Sequence, residues 1–370
     1  MRKRPVFAAA LLATLAGCGS AARHFEVALQ DNAVFLHRYY YDRDLALRQA
    51  TELGVSWLRV TLIWSLVERS PGRYDWSQYD RLAQAPLMRG LHLEFTISGP
   101  APAWATGDHR VGVYRPNPAL FARFAGAAAA HFRGRVARYS VWNEPNYASW
   151  LTPQADAAPI YRRLYTGAYA AIRAADPGAK ILIGETAGPA QPGLVTPALH
   201  FIRAVACRDD DYRAIARCAP LVADGYAHHP YDFTNPPNHA YRSPDAVTLG
   251  SLARLTTALD RLRAVHALAA PRGGVLDVYL TEFGYMSRQR GGPPDPVRAR
   301  YLTQAFDIAV AHYPRVRQLL QYLLVDPPPT LPGGSFDTGL IATDGTKSAS
   351  FRALAQWAAT AERDHRIEPP

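Results

Sequence analysis

The chain has 370 residues, 48% of them hydrophobic, and a formal net charge of +10. That much apolar side chain supports a large buried core and excludes a globally disordered chain. The charge comes mostly from arginines scattered along the sequence with no basic block, and no zinc-finger, helix-turn-helix or RNP sequence accompanies them, so nucleic-acid binding is not expected.

Arg2, Lys3 and Arg4 precede an apolar run over residues 6–15 that is too short to span a bilayer, which is the layout of an export signal. The run ends in Leu15-Ala16-Gly17-Cys18, a lipobox-like sequence in which Cys18 would be acylated after cleavage. An ordinary signal cut near Ala21 would discard Cys18 instead. Residues 1–22 are therefore expected to be a signal peptide and residues 23–370 a folded domain, exported and either secreted or held at the cell envelope by a lipid on Cys18. Any membrane contact would run through that anchor. Without Cys18, Cys207 and Cys218 are an even pair flanking a loop rich in Asp and Arg, and in an oxidising compartment they are expected to be bonded.

Beyond the signal, strand-like and helix-like stretches alternate. Strands are expected over 25–30, 56–63, 91–98, from 138 to the Trp142-Asn143-Glu144-Pro145 segment, and over 180–184, 224–227, 276–281 and 317–325. Helices are expected between and after them over 43–53, 79–89, 117–132, 155–175, 199–206, 249–268, 297–312 and 350–362, with Gly54 and Gly90 closing the first two. Eight strand-then-helix units point to a single-domain (β/α)8 barrel of the TIM type, an α/β fold. No Gly-x-Gly-x-x-Gly or Walker sequence follows a strand, which weighs against a nucleotide-binding open sheet.

Side-chain parity extends the reading. In the second strand Leu58, Val60 and Leu62 share one face, with Arg59 and Thr61 on the other; in the third, Leu93, Phe95 and Ile97 oppose Glu94, Thr96 and Ser98. The apolar rows belong against the helices, which puts Arg59 and Glu94 inside the barrel, where buried charges need partners. Arg59 either pairs with Glu94 for structure alone or holds a reacting carboxylate ionised.

Pro145 ends the fourth strand, so Asn143 and Glu144 sit at its C-terminal tip, on the face where barrel enzymes collect reactive side chains. Thr281-Glu282-Phe283-Gly284 places a second glutamate at the tip of the seventh strand. Together, Trp142-Asn143-Glu144-Pro145 and Thr281-Glu282-Phe283-Gly284 resemble the clan A retaining glycoside hydrolases, nearest to families 5 and 39. That resemblance implies Glu144 as acid/base and Glu282 as nucleophile. It also implies Asn143 on the sugar 2-hydroxyl, Arg59 orienting Glu282, and His229-Pro230-Tyr231 as the His-x-Tyr element after the sixth strand. The fold so implied is the barrel already read from the elements.

There are departures. Many clan members carry a sugar-stacking Trp at the tip of the eighth strand, where this chain offers Gln321, Tyr322 and Asp326. Trp104 and Trp150 are the favoured substitutes, with Trp64, Tyr147 and Tyr231 also near the loops. Glu185, at the tip of the fifth strand, is a third carboxylate at the same mouth. It would hydrogen-bond substrate or an Arg, with displacement of Glu282 as nucleophile the alternative. No His/Cys cluster of zinc type is present, and adjacent His228 and His229 point to opposite sides of an extended chain, so neither metal nor cofactor is expected. The expectation is an exported, monomeric, retaining β-glycosidase acting on a poly- or oligosaccharide. The alternatives are a transglycosylase using the same two glutamates and a non-catalytic carbohydrate-binding protein.

Overall fold

A computed structural model describes residues 24–287, 290–328 and 336–370. The expected signal peptide, including Cys18, lies outside the described residues. Eight parallel strands close into a barrel. They are β1 Glu26–Gln30, β2 Trp57–Ile63, β3 His92–Ser98, β4 Arg138–Val141, β5 Lys180–Thr186, β6 Gly225–His228, β7 Val278–Phe283 and β8 Val316–Tyr322. Each pairs with its neighbour in sequence, and β8 pairs with β1 to close the ring. The helices that follow them in turn are α1 Arg43–Glu52, α2 Ser77–Leu87, α3 Pro118–His131, α4 Ala157–Ala175, α5 Ala198–Val205, α6 Leu252–Ala264, α7 Asp295–Ala311 and α8 Ala349–Arg363. This is the expected (β/α)8 barrel.

Local chemistry sets the boundaries. The Asp42 side chain accepts from Leu45 N to start α1, Asn117 accepts from Ala119 N and Leu120 N ahead of Pro118 to start α3, and Ser348 accepts from Phe351 N to start α8. Gly54 ends α1 at φ +69°, and a Cβ there would lie 2.8 Å from that of Ala358 on α8. The helix expected over 249–268 stops short of its predicted end at Ala264, because Leu268–Ala269 pairs instead with Leu221–Val222 in a small two-stranded ribbon beside the barrel. Cys207 and Cys218, after α5, are joined by a disulfide with Cα atoms 6.3 Å apart.

The parity reading holds in β2 and β3. Leu58, Val60, Leu62, Leu93, Phe95 and Ile97 are buried between strands and helices, each contributing about 1.5–3 kcal/mol of apolar burial. The opposite rows point inward and make a polar barrel interior in two tiers. At the floor, Arg138 is sandwiched between the rings of Trp57 and Tyr279, at 3.9 and 4.0 Å, and pairs with Glu26 at 2.7 Å and Glu94 at 3.1 Å. Glu94 thus has its partner from β4. That leaves Arg59, in the upper tier, for Glu185 and Glu282.

Candidate active site

The C-terminal strand ends open into a cavity of about 610 Å³. At the end of β4 the backbone leaves extended geometry, with positive φ at Trp142 (+65°) and Glu144 (+39°). Such non-glycine conformations cost on the order of 1–3 kcal/mol each and persist only where surroundings enforce them. Here the enforcement is visible. The Trp142 ring is fully buried against Phe121 and over Gly99, where a Cβ would come within 2.8 Å of it, and its indole N–H donates to the Trp150 carbonyl at 2.7 Å. Asn143 N donates to Ser98 Oγ at 3.0 Å. Asn146 donates to the carbonyls of Ala187 and Thr196 and accepts from Ala187 N, fastening the loop after β4 to the loop after β5. With the backbone so fixed, the Glu144 carboxyl faces the cavity.

Glu282 reaches the same space from β7. The Arg59 guanidinium, on β2, lies beneath it with no exposed side-chain surface and donates to Glu282 Oε1 at 2.6 Å, Glu185 Oε2 at 3.0 Å, Asn143 Oδ1 at 3.1 Å and Gln30 Oε1. Tyr231 OH donates to Glu282 Oε2 at 3.3 Å. His229 bridges two carboxylates: Nδ1 lies 2.9 Å from Glu144 Oε1 and Nε2 2.6 Å from Glu185 Oε2. One carboxylate oxygen of Glu144, one of Glu282 and a ring nitrogen of His229 all lie within 4.8 Å of one another. His228 points the other way, bonded to Thr186 Oγ1 and the Val247 carbonyl, and burial holds it neutral, down to about 4.

The electrostatics separate the groups by role. Burial pushes the Glu144 carboxyl above its ordinary range; the His229 imidazole opposes this and the nearby Glu282 reinforces it. Burial acts the same way on Glu185, but the Arg59 and His229 charges override it and bring that carboxyl down to about 2. For His229 burial disfavours the charged ring, yet Glu282, Glu144 and Glu185 around it raise it to about 10, so it is an imidazolium at neutral pH. The cavity therefore presents a buried acid that tends to keep its proton beside a carboxylate ion-paired to Arg59.

Of the residues expected at the site, Glu144, Glu282, Asn143, Tyr231 and Trp150 line the cavity, and Arg59 and His229 lie directly behind them. Trp104 does not line it. Its ring packs edge-on against Trp64 at 5.8 Å and its N–H donates to the Arg69 carbonyl at 3.3 Å, so the stacking role expected of it is not supported. At the end of β8, Tyr322 faces the cavity, whereas Gln321 turns its amide onto the carbonyls of Tyr322, Leu323 and Thr338. Gln30, Asn32, Phe233 and Phe336 also line the cavity and were not expected. Gln30 shares the inward parity of Ala28 on β1 and was legible in principle, while the two phenylalanines sit on loops with no periodic signal.

Among the described residues two clusters bring carboxylate and imidazole atoms within metal-sharing range: Glu144, His229 and Glu282, and the exposed His200 and Asp210 with half-buried Asp245. In each a protein cation already sits among the anions. Arg59 pairs with Glu282 and His229 with Glu144 in the first, and Arg203 pairs with both aspartates of the second at 2.6 and 2.8 Å.

No protein-family model and no curated protein matches the sequence. Solved structures do match. A family 39 glycoside hydrolase from the gut symbiont Bacteroides cellulosilyticus WH2 superposes with a TM-score of 0.65 at 18% identity over 90% of this chain, which spans 63% of that protein's length. GH5_18 from Streptomyces cattleya, solved with GlcNAc, gives 0.62 at 20% identity, covering 95% of this chain and 83% of that one. The virulence factor SghA of Agrobacterium tumefaciens, solved with its substrate analog salicin, gives 0.61 at 15% identity, covering 91% and 96%. At these identities the likeness establishes the barrel fold, and the function has to be argued from the site.

Proposed function

We propose that the protein is a retaining β-glycosidase that cleaves O-glycosidic bonds by double displacement. The observation that carries the reading is the separation of the two cavity glutamates, whose nearest carboxylate oxygens lie within 4.8 Å. Retaining enzymes place their carboxyl groups about 5–5.5 Å apart, whereas inverting ones need about 6.5–9.5 Å to admit a water. Glu282, held by Arg59 and Tyr231, attacks the anomeric carbon. The bond to the leaving oxygen breaks, and Glu144 gives that oxygen its proton. Water then attacks the same carbon, Glu144 takes a proton from it, and the bond to Glu282 breaks. Asn143, turned by Arg59 and lining the cavity, is placed to meet the sugar hydroxyl next to the anomeric centre. Trp150, Tyr147, Phe233, Phe336 and Tyr322 offer apolar surface to the C–H faces of the rings.

The structural neighbours support the class of substrate, since they include a family 39 glycoside hydrolase and GH5_18 solved with GlcNAc, besides SghA solved with its substrate analog salicin. Export completes the proposal, supported by the basic and apolar N-terminal segment and by the bonded Cys207–Cys218 pair. The test is a panel of aryl β-glycosides and β-linked polysaccharides with the first-formed anomer followed by proton NMR. A β-configured first product supports retention. An α-configured product, or no turnover of any β-glycoside, refutes the reading.

A further inference from the structure

Glu185 occupies a place that strand alternation does not predict. On β5, Ile181 and Ile183 face the helices and Leu182 faces the barrel interior, so continued alternation would send residue 185 outward. The ladder with β6 breaks instead. Gly184 pairs with Ala227 and Thr186 with His228, leaving Glu185 as the extra residue of a bulge, with φ +114° at Gly184 and +50° at Glu185. Gly184 permits this, because a Cβ there would lie 2.5 Å from the Ala227 carbonyl oxygen. The bulge turns the Glu185 carboxylate into the barrel with no exposed side-chain surface.

There its Oε2 receives three donors: His229 Nε2 at 2.6 Å, Thr281 Oγ1 at 2.8 Å and Arg59 Nη2 at 3.0 Å. Two of those donors are the residues that touch the paired cavity glutamates, since Arg59 also binds Glu282 and His229 also binds Glu144. A carboxylate only accepts, so the Glu185 contact fixes a proton on Nε2 of His229 and sets the plane of the ring, leaving Nδ1 against Glu144 Oε1. The arrangement follows the logic of a buried carboxylate that orients an imidazole toward a catalytic group.

We propose that Glu185 is a positioning residue for proton transfer. It accepts the Nε2–H of His229 and thereby keeps the Nδ1–H of that imidazolium on the carboxylate that Glu144 becomes when it gives its proton to the leaving oxygen. The inference rests on Glu144 being the acid/base. No proton is lost from His229 in the cycle: Glu144 yields its own proton in the first step and regains one from water in the second, while the Nδ1–H stabilises the intervening anion.

Glu185→Gln tests it. The side chain keeps its shape, and an amide oxygen in the place of Oε2 can still accept from His229, Thr281 and Arg59. The imidazole, however, loses the charge that orients it. For substrates with a poor, alkyl or sugar leaving group, kcat/KM should fall about 100- to 1,000-fold, as general-acid assistance is worth about 10²–10⁴. For the dinitrophenyl β-glycoside of the same sugar, whose leaving group needs no proton, it should fall less than about 10-fold. A merely structural role would lower both by the same factor, and equal losses overturn the proposal. A second measurement does not depend on the variant folding. In wild-type protein labelled with 15N-histidine, His229, assigned by difference against His229→Gln, should carry a proton on Nε2 throughout the active pH range. An unprotonated Nε2 also overturns it. If the wild type turns over no glycoside at all, the proposed function fails, while the 15N measurement still decides whether Glu185 orients the ring.

Discussion

Removing Arg59 should expose how much of the site's order rests on one guanidinium. Its donors meet Gln30, Asn143, Glu185 and Glu282, and it has no exposed side-chain surface. Arg59→Met keeps the stem and removes the charge, leaving buried carboxylates without that partner, and breaking a buried pair from one side costs about 3–5 kcal/mol. The pH dependence of the loss is read from Glu185. Burial raises this carboxyl, yet Arg59, with His229 beside it, brings it from an ordinary 4.5 to about 2. At about 1.36 kcal/mol per unit, that depression amounts to about 3 kcal/mol at neutral pH. Because the folded-state pKa is depressed, this stability is fully present above 4.5 and is lost as pH falls toward 2. In the variant, Glu185 keeps only His229 against burial, so its carboxyl is depressed less and less of this acid-labile stability remains to be lost. The melting temperature of Arg59→Met should therefore lie about 4–7 °C below wild type at pH 7, and the gap should narrow steadily between pH 5 and pH 3. Differential scanning calorimetry across that range reads both. A variant within about 2 °C of wild type at pH 7, or a gap that widens on acidification, would refute the assignment of Arg59 as the charge that holds these carboxylates.

Four further outcomes are expected. Glu144→Ala should still form a glycosyl-enzyme from a dinitrophenyl β-glycoside and then stall, with added azide restoring turnover as a β-glycosyl azide, whereas Glu282→Ala should form no adduct by mass spectrometry; an adduct mapped to Glu185 would reassign the nucleophile. Trp150→Ala, on the cavity wall, should lower kcat/KM about 10-fold mainly through KM, while Trp104→Ala, whose ring lies on Trp64, should leave KM within about 2-fold; the reverse order would put the aromatic floor on the wrong loop. Thiol titration of denatured, unreduced protein should find no free thiol from Cys207 or Cys218, and replacing both with Ser should cost about 3 kcal/mol by the loop-closure relation for a separation of 11 residues, read by urea unfolding. Cys18→Ser should move the protein from the membrane to the soluble fraction of the cells that export it; unchanged partitioning would rule out a lipid on Cys18 as its anchor.

The barrel was legible because two periodicities survive in the sequence. The outward rows Leu58-Val60-Leu62 and Leu93-Phe95-Ile97 repeat every second residue, and helices such as α3 announce themselves through Asn117, Pro118 and an alanine-rich run. The two cavity glutamates were legible for a related reason. Each sits at the end of an apolar strand, where a closed barrel leaves a side chain only the mouth to occupy. Parity also predicted that Arg59 and Glu94 point inward but could not pair them. The partner of Glu94, Arg138, comes from β4, next to β3 in the closed sheet, and its aromatic sandwich draws Trp57 from β2 and Tyr279 from β7, so only the closed sheet reveals the floor cluster that frees Arg59 for Glu282.

Where the reading ran short, the determinant was a departure from regular geometry or a loop contact. Trp104 and Trp150 are the same residue type on neighbouring loops, and nothing local distinguishes them. Trp104 is drawn away by a carbonyl on Arg69 and by the face of Trp64, contacts set by how two loops cross. Glu185 is the sharper case. Its strand-tip position was plain, but alternation would have aimed it at the helices. A single inserted residue beside Gly184 reverses that direction and puts a third carboxylate under the two that face the cavity. A bulge carries almost no sequence signature beyond a glycine, and here it determines whether His229 has one carboxyl neighbour or two hydrogen-bonded to its ring. The backbone irregularity at β5 and the left-handed turn at Glu144 therefore act together. One aims the acid and the other aims the cation beside it, and both stand where a regular strand would have placed neither.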